Sequence, residues 1–170
     1  FSSLLVRHDP SGPATSVIPV RVISYGLGID TNGFIWNSNW SLNTVQKISP
    51  AGAITGTFPT GGSSNDRGVA VTPADNHVWV ANSGGNTVSR LDNTGNYLTQ
   101  VTVGSTPTGV PVDAAVKVWV TNLNSHDVMR IDPTTNSVDL TVSLALVEGP
   151  DNYIEVTVST LTAPPYFATW

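Results

Sequence analysis

The sequence predicts an all-β chain assembled from repeated four-stranded antiparallel sheets, and three observations carry that prediction. A basic residue in an apolar setting recurs at Arg7, Lys47, Arg90 and Arg130, at intervals of 40, 43 and 40 residues. A tryptophan followed three positions later by asparagine recurs as Trp36 with Asn39, Trp79 with Asn82, and Trp119 with Asn122. A glycine followed by an apolar residue opens each unit, as Gly26-Leu27, Gly68-Val69 and Gly109-Val110. Three elements keeping one period are the mark of a repeat architecture.

Inside a unit the period is two. Val69 and Val71, Val78 and Val80, then Val88 and Arg90 alternate with their neighbours as half-buried strands do. The breaks fall on turn chemistry: Thr72-Pro73-Ala74-Asp75-Asn76, Asn82-Ser83-Gly84-Gly85-Asn86 and Asp92-Asn93-Thr94-Gly95-Asn96. In the clearest copy the strands a to d are expected at 68–72, 77–82, 87–92 and 97–103. One such sheet cannot hide both faces from water. Stacking the sheets radially buries Val, Ile and Trp between neighbours, which is the construction of a β-propeller. The strand-b tryptophan is expected as a wedge between blades. The strand-c base is expected to lie along a blade face, its stem packed and its head paired or solvated.

The blades are expected at about 26–60, 67–104 and 108–144. Residues 3–23 supply a partial blade, with strand c at 4–8 and strand d at 16–22. The C-terminal stretch 149–170 holds an alternating segment, 153–158, and an aromatic one, 166–170, expected as closing or exchanged strands. It lacks the Trp-x-x-Asn signature and carries Pro164-Pro165. A self-closed ring of about four blades and a larger ring with further chain both remain open. An unclosed arc would present strand edges and apolar blade faces, inviting a protein partner, copies of itself included.

The run Gly68-Val69-Ala70-Val71-Thr72-Pro73, then Val78-Trp79-Val80-Ala81-Asn82, then Asn86-Thr87-Val88-Ser89-Arg90-Leu91-Asp92 resembles the YVTN repeat. It is also similar to the NHL-like repeats of the virginiamycin B lyase family. The resemblance covers roughly residues 3–144. It implies a propeller fold of the kind found in surface-layer and other secreted microbial proteins, and the scarcity of lysine beside abundant Asn and Thr gives the expectation of an extracellular or cell-surface location. It does not choose among binding, scaffolding and catalysis. The lyase activity would imply a clustered set of histidines and carboxylates with a metal, and His8, His77 and His126 match no such set.

Composition narrows the function classes. Only 11% of residues are charged, the formal net charge is −5, and the seven Lys and Arg are spread along the chain. No basic patch is available to neutralise phosphates, so nucleic acid is not an expected partner. With no cysteine, disulfides, thiolate zinc sites and a cysteine nucleophile are excluded. No apolar stretch reaches the length of a transmembrane helix. The chain begins at Phe1 in what reads as a strand, so any signal peptide is expected to have been removed or never to have belonged to this stretch.

No catalytic constellation and no cofactor are expected. His8 takes a strand-c slot filled elsewhere by Ile or Leu and reads as a packed histidine. His77 and His126 fall at opposite ends of a blade, too far apart to act together. Asp30 and Asp113 occupy equivalent positions where the middle copy has Thr72. With Asn82 and Asn122 they are the candidates for a calcium site at the central channel, against a simpler role as turn caps. Asn39-Trp40-Ser41 is a glycosylation sequon, relevant only to a secreted protein. The reading that follows is a non-enzymatic extracellular structural or interaction propeller, assembling through its strand edges. The alternative is a propeller that binds a small molecule or glycan, or one of hydrolase or lyase type, with a divalent metal at the channel.

Overall fold

The computed structural model describes residues 2–8, 11–12, 16–63 and 65–144; the strands expected at 149–170 lie outside these. Thirteen strands and no helix make up the described residues: β1 (Ser2–Arg7), β2 (Ser16–Ile29), β3 (Ile35–Asn39), β4 (Thr44–Ile48), β5 (Ile54–Pro59), β6 (Asp66–Val71), β7 (Val78–Asn82), β8 (Thr87–Leu91), β9 (Tyr97–Thr102), β10 (Pro107–Gly109), β11 (Val118–Asn122), β12 (Asp127–Asp132) and β13 (Ser137–Ser143). All pairings are antiparallel between consecutive strands, in sheets ordered β1-β2-β3-β4-β5, β6-β7-β8-β9 and β10-β11-β12-β13.

The first sheet has five strands because β2 serves twice. Its first half pairs with β1, as strand d of the partial blade, through Leu4 opposite Pro19 and Arg7 opposite Ser16. Its second half pairs with β3 as strand a of blade 1, through Leu27 opposite Asn37 and Ile29 opposite Ile35. No Gly, Pro, Asn or Asp lies between Pro19 and Gly26 to break the chain, so the two expected strands run together. Blade 2 is β6–β9 and blade 3 is β10–β13.

The abundance of Asp and Asn has a local cause. Asp30, Asp92, Asp113 and Asp132 each fold a carboxylate back onto backbone N–H groups two residues on, with distances of 2.8–2.9 Å. These are Asx turns. Asn43, Asn76, Asn86 and Asn136 sit at φ between 49° and 55°, the left-handed region that asparagine tolerates. His126 takes the same conformation, at φ 52°, in the turn where blades 1 and 2 use Asn43 and Asn86.

The core is a series of layers, each between sequence-adjacent blades. Ile18 and Val20 of the partial blade meet Ile48 of blade 1. Trp36 and Val45 of blade 1 meet Val69, Val78, Val80 and Leu91 of blade 2. Trp79, Ala81, Val88 and Val101 of blade 2 meet Val110, Val118, Val120 and Ile131 of blade 3. None of these layers joins blade 3 to the partial blade. One expectation needs correction here. His8 is exposed rather than packed, because no blade covers the outer side of the partial blade among the described residues.

Candidate functional site at the joints between blades

Each joint is built from three residues of the repeat. The first is the strand-a glycine. A Cβ on Gly26 would stand 2.4 Å from the Arg67 carbonyl oxygen and 2.9 Å from the Gly68 Cα; one on Gly68 would stand 2.6 Å from the Thr108 carbonyl oxygen. Backbones of successive inner strands therefore approach at a distance only glycine allows. The second is the strand-b tryptophan. Trp36 and Trp79 are fully buried against the valines of the following blade.

The third is the strand-c base. Lys47 Nζ lies 4.9 Å from the Trp36 ring centroid and donates to the Asn93 carbonyl at 2.6 Å, across the joint in the c–d turn of blade 2. Arg90 lies 4.8 Å over Trp79 and donates to the Pro133 carbonyl at 2.6 Å and to Asn136 Oδ1 at 2.7 Å, in the c–d turn of blade 3. Arg7 donates to the Pro50 carbonyl at 3.2 Å in the same way. In blades 1 and 2 a cation on an aromatic face, its head reaching the next turn, thus staples the blade to its successor, and Arg7 makes the turn contact alone.

Blade 3 presents the same three residues with nothing across from them among the described residues. Gly109 has only Thr121 of its own blade near a hypothetical Cβ. Trp119, unlike Trp36 and Trp79, is only partly buried. Arg130 lies 5.6 Å over the Trp119 ring, but its Nε turns back to Asp139 Oδ1 at 2.8 Å. Beside them Leu140 and Val142 are exposed.

The calcium candidates separate in this frame. Asp30 and Asp113 stand in the a–b turns, where they accept the indole N–H of Trp36 at 3.4 Å and of Trp119 at 2.8 Å; Thr72 does the same for Trp79 at 3.4 Å. That shared task explains the equivalent positions. Burial works against the charge of Asp30, yet bonds from Asn93, Phe34, Trp36 and Asn32 hold its carboxyl below the usual range. Asn82 and Asn122 lie at the far end of strand b, opposite Asp66 and Pro107, with blade 2 also standing between Asp30 and Asp113. Their amides clamp the b–c turn instead: Asn122 Nδ2 donates to Asp127 Oδ1 at 2.6 Å, and Asn82 Oδ1 accepts from Thr87 Oγ1 at 3.0 Å. The four residues do not converge, and no group of three or more Asp, Glu or His side chains able to hold a metal occurs among the described residues.

Asn39 is likewise internal. It is fully buried, donates to Thr44 Oγ1 at 3.4 Å, and accepts from the Ser41 N–H at 3.2 Å, so the folded chain offers no accessible amide to a glycosyl group. His77 sits at the a–b end, where its Nδ1 accepts from Arg90 Nε at 3.0 Å, and His126 is at the b–c end. Asp75 beside His77 is held below the ordinary carboxylate range; burial opposes this, but Thr72, the His77 N–H and Arg90 outweigh it.

One titratable group was not foreseen. Asp66 is fully buried, with Thr60 Oγ1 donating at 2.8 Å and Asn82 Nδ2 at 2.9 Å. Burial pushes its carboxyl up to about 7, the Thr60 bond only partly offsetting it. Ser24 and Pro107 take the same place opposite Asn39 and Asn122, so the repeat gave no signal for it.

Comparison with solved structures decides the architecture. Virginiamycin B lyase from Staphylococcus aureus superposes with a TM-score of 0.73 at 16% identity, covering 84% of this chain and 49% of that one. The fold is that of a β-propeller. A functionally unknown protein from Desulfotomaculum acetoxidans matches with a TM-score of 0.62 at 24% identity, over 76% of this chain and 44% of that one. Hydrazine synthase from Kuenenia stuttgartiensis matches with a TM-score of 0.67 at 18% identity, over 72% and 36%. The chain spans half or less of the length of these proteins. No family model and no curated protein sequence matches it.

Proposed function

We propose that this chain is a non-enzymatic structural and interaction propeller, acting outside the cell or at its surface, that works by joining blade to blade. The observation that carries this reading is the forward face of blade 3, where Gly109, Trp119 and Arg130 repeat a joint that is filled twice before in the same molecule. The occupant such a face calls for is another blade. Its inner-strand backbone would lie on Gly109, its apolar strand b would cover Trp119, and the carbonyl of its c–d turn would take Arg130 from Asp139.

A second copy supplies such a surface. The partial blade turns Leu5 and Ile18 toward blade 1, while Val6 and Val17, facing the other way, are each 58% exposed. Placed head to tail, blade 3 of one copy meets this outer face of the next. The contact is heterologous, so copies close into a ring where the rotation permits and extend where it does not.

Light scattering of the native particle tests the reading. Dimers or longer assemblies that fall to a 17.9 kDa monomer on Trp119→Glu would support it. A monodisperse 17.9 kDa wild-type monomer at high concentration would reject it.

A further inference from the structure

The inner strand of every blade carries the same irregularity. The register of strand a against strand b shifts between Ser24 and Leu27, between Asp66 and Val69, and between Pro107 and Gly109. A bulge at this place re-aims the side chain within it. The residue just before each repeat glycine is Tyr25 in blade 1, Arg67 in blade 2 and Thr108 in blade 3. Together with Trp40 these side chains form a row across three blades. Tyr25 stacks on Trp40 with centroids 5.3 Å apart, the Arg67 guanidinium lies 4.7 Å over Trp40 and 5.5 Å over Tyr25, and Arg67 Nη1 donates to Thr108 Oγ1 at 3.1 Å.

This row takes no part in the staples of the joint, and its residue types differ from blade to blade. Arg67 is the telling member. It is half-buried, its Nε is buried without a partner, and no carboxylate lies within ion-pair distance among the described residues. Lys117, Arg90 and Arg130 all have one, and Lys47, which has none, spends its ammonium on the Asn93 carbonyl and Oδ1. A guanidinium stripped of part of its water and given no anion is an unsatisfied charge. Its planar fork suits a carboxylate, and the two aromatic rings beside it suit an apolar body attached to that carboxylate. A single cation in a chain of net charge −5 matches one negative charge and repels a polyanion.

We propose that the row of Trp40, Tyr25, Arg67 and Thr108 is a binding site for a small organic monocarboxylate. It lies at the end of the blades where the b–c turns are, apart from the docking face of blade 3, and does not depend on assembly.

The test is a titration of the 15N-labelled chain with phenylacetate, read at the Arg67 Nε–H resonance. The expected result is a saturable downfield shift in the millimolar range, absent with the neutral analogue phenylethanol. Arg67→Met keeps the stem on Trp40 and removes the charge. Trp40 indole shifts in that variant should show affinity reduced by about tenfold or more, the worth of a charge-assisted hydrogen bond. Thr108→Val leaves Arg67 in place but frees its Nη1, and should weaken binding by about threefold. No saturable shift in the wild type, or equal affinity in both variants, would overturn the proposal.

Discussion

Blades 2 and 3 carry the same strand-b and strand-c residues, yet their forward faces live in different surroundings. Trp79 has no exposed surface and Arg90 spends its guanidinium on the next blade's turn. Trp119 is partly exposed and Arg130 bends back to Asp139 of its own sheet. The difference teaches that the repeat encodes a joint rather than a blade. Its conserved-looking residues within the period are half of a contact whose other half lies some 40 residues further along the chain.

The largest effect should come from cutting the wedge on each side of the comparison. Trp79→Ala removes a fully buried side chain and should cost about 3–5 kcal/mol, whereas Trp119→Ala should cost about 1 kcal/mol at the concentrations where the chain is monomeric. Urea midpoints with a common slope would measure both. Equal losses would mean that Trp119 is covered by something in the isolated chain, and the picture of an open face would fall.

Asp66 offers a second contrast, since Ser24 and Pro107 in its place carry no charge. Its carboxyl in the folded chain titrates at about 7, above the 3.8 of an ordinary Asp. The folded chain therefore keeps a proton that the unfolded chain gives up. The contribution of Asp66 should be fullest below pH 4 and should decline as the pH rises to 7, by at most about 4 kcal/mol at about 1.4 kcal/mol per unit, while carboxylates held low, such as Asp30 and Asp75, act in the opposite direction as the pH falls toward 4 and below. Asp66→Asn keeps a donor and acceptor in the site and should flatten this decline. Melting temperatures measured from pH 4 to 8 for both proteins check it; parallel curves would refute the assignment.

The staple gives the third. Arg90→Met should cost about 1.5–3 kcal/mol, because it deletes charge-assisted bonds to Pro133, Asn136 and Asp75. Arg130→Met loses an exposed pair with Asp139 and a place over the Trp119 ring, with no bond to another blade, and should cost clearly less. In an assembled particle the order should draw closer, since Arg130 would then be doing the work of Arg90. Denaturation at low and high protein concentration separates the two regimes.

Much of this was legible in the sequence because it is local or periodic. Strand alternation, Asx turns and the Trp wedge follow from residues within one unit, and the strands of blade 2 fall within two residues of the positions expected from Val69 to Val101. What stayed hidden is what depends on a neighbour. The period shows that Arg90 recurs but not that its head reaches Pro133, 43 residues on. Asp30 and Asn82 looked able to meet because sequence spacing does not say which end of a strand a turn occupies; the register places them at opposite ends. Asp66, Arg67 and Tyr25 break the repeat, so a search for recurrence passes over them, and only the bulge and the burial single them out. The apolar slot that His8 occupies predicts a packed side chain, but a slot is buried only when the next blade is there.

The smallest predicted effect compares one turn between blades 1 and 3. Gly33 and Val116 stand at the same place in the a–b turn, each donating its N–H to the carbonyl of the aspartate three residues earlier, Asp30 or Asp113. Both take positive φ, 80° for the glycine and 62° for the valine. A β-branched residue in the left-handed region carries about 1–2 kcal/mol of strain that glycine avoids. A Cβ on Gly33 would meet nothing closer than Pro50 at 3.4 Å, so space does not decide the outcome there. Val116→Gly should therefore stabilise the chain by about 0.5–1 kcal/mol after the added freedom of the unfolded glycine is counted, and Gly33→Val should destabilise it by a similar amount. If both substitutions destabilise, the Val116 side chain contributes packing that outweighs its backbone, and the turns of blades 1 and 3 are not interchangeable parts of one repeat.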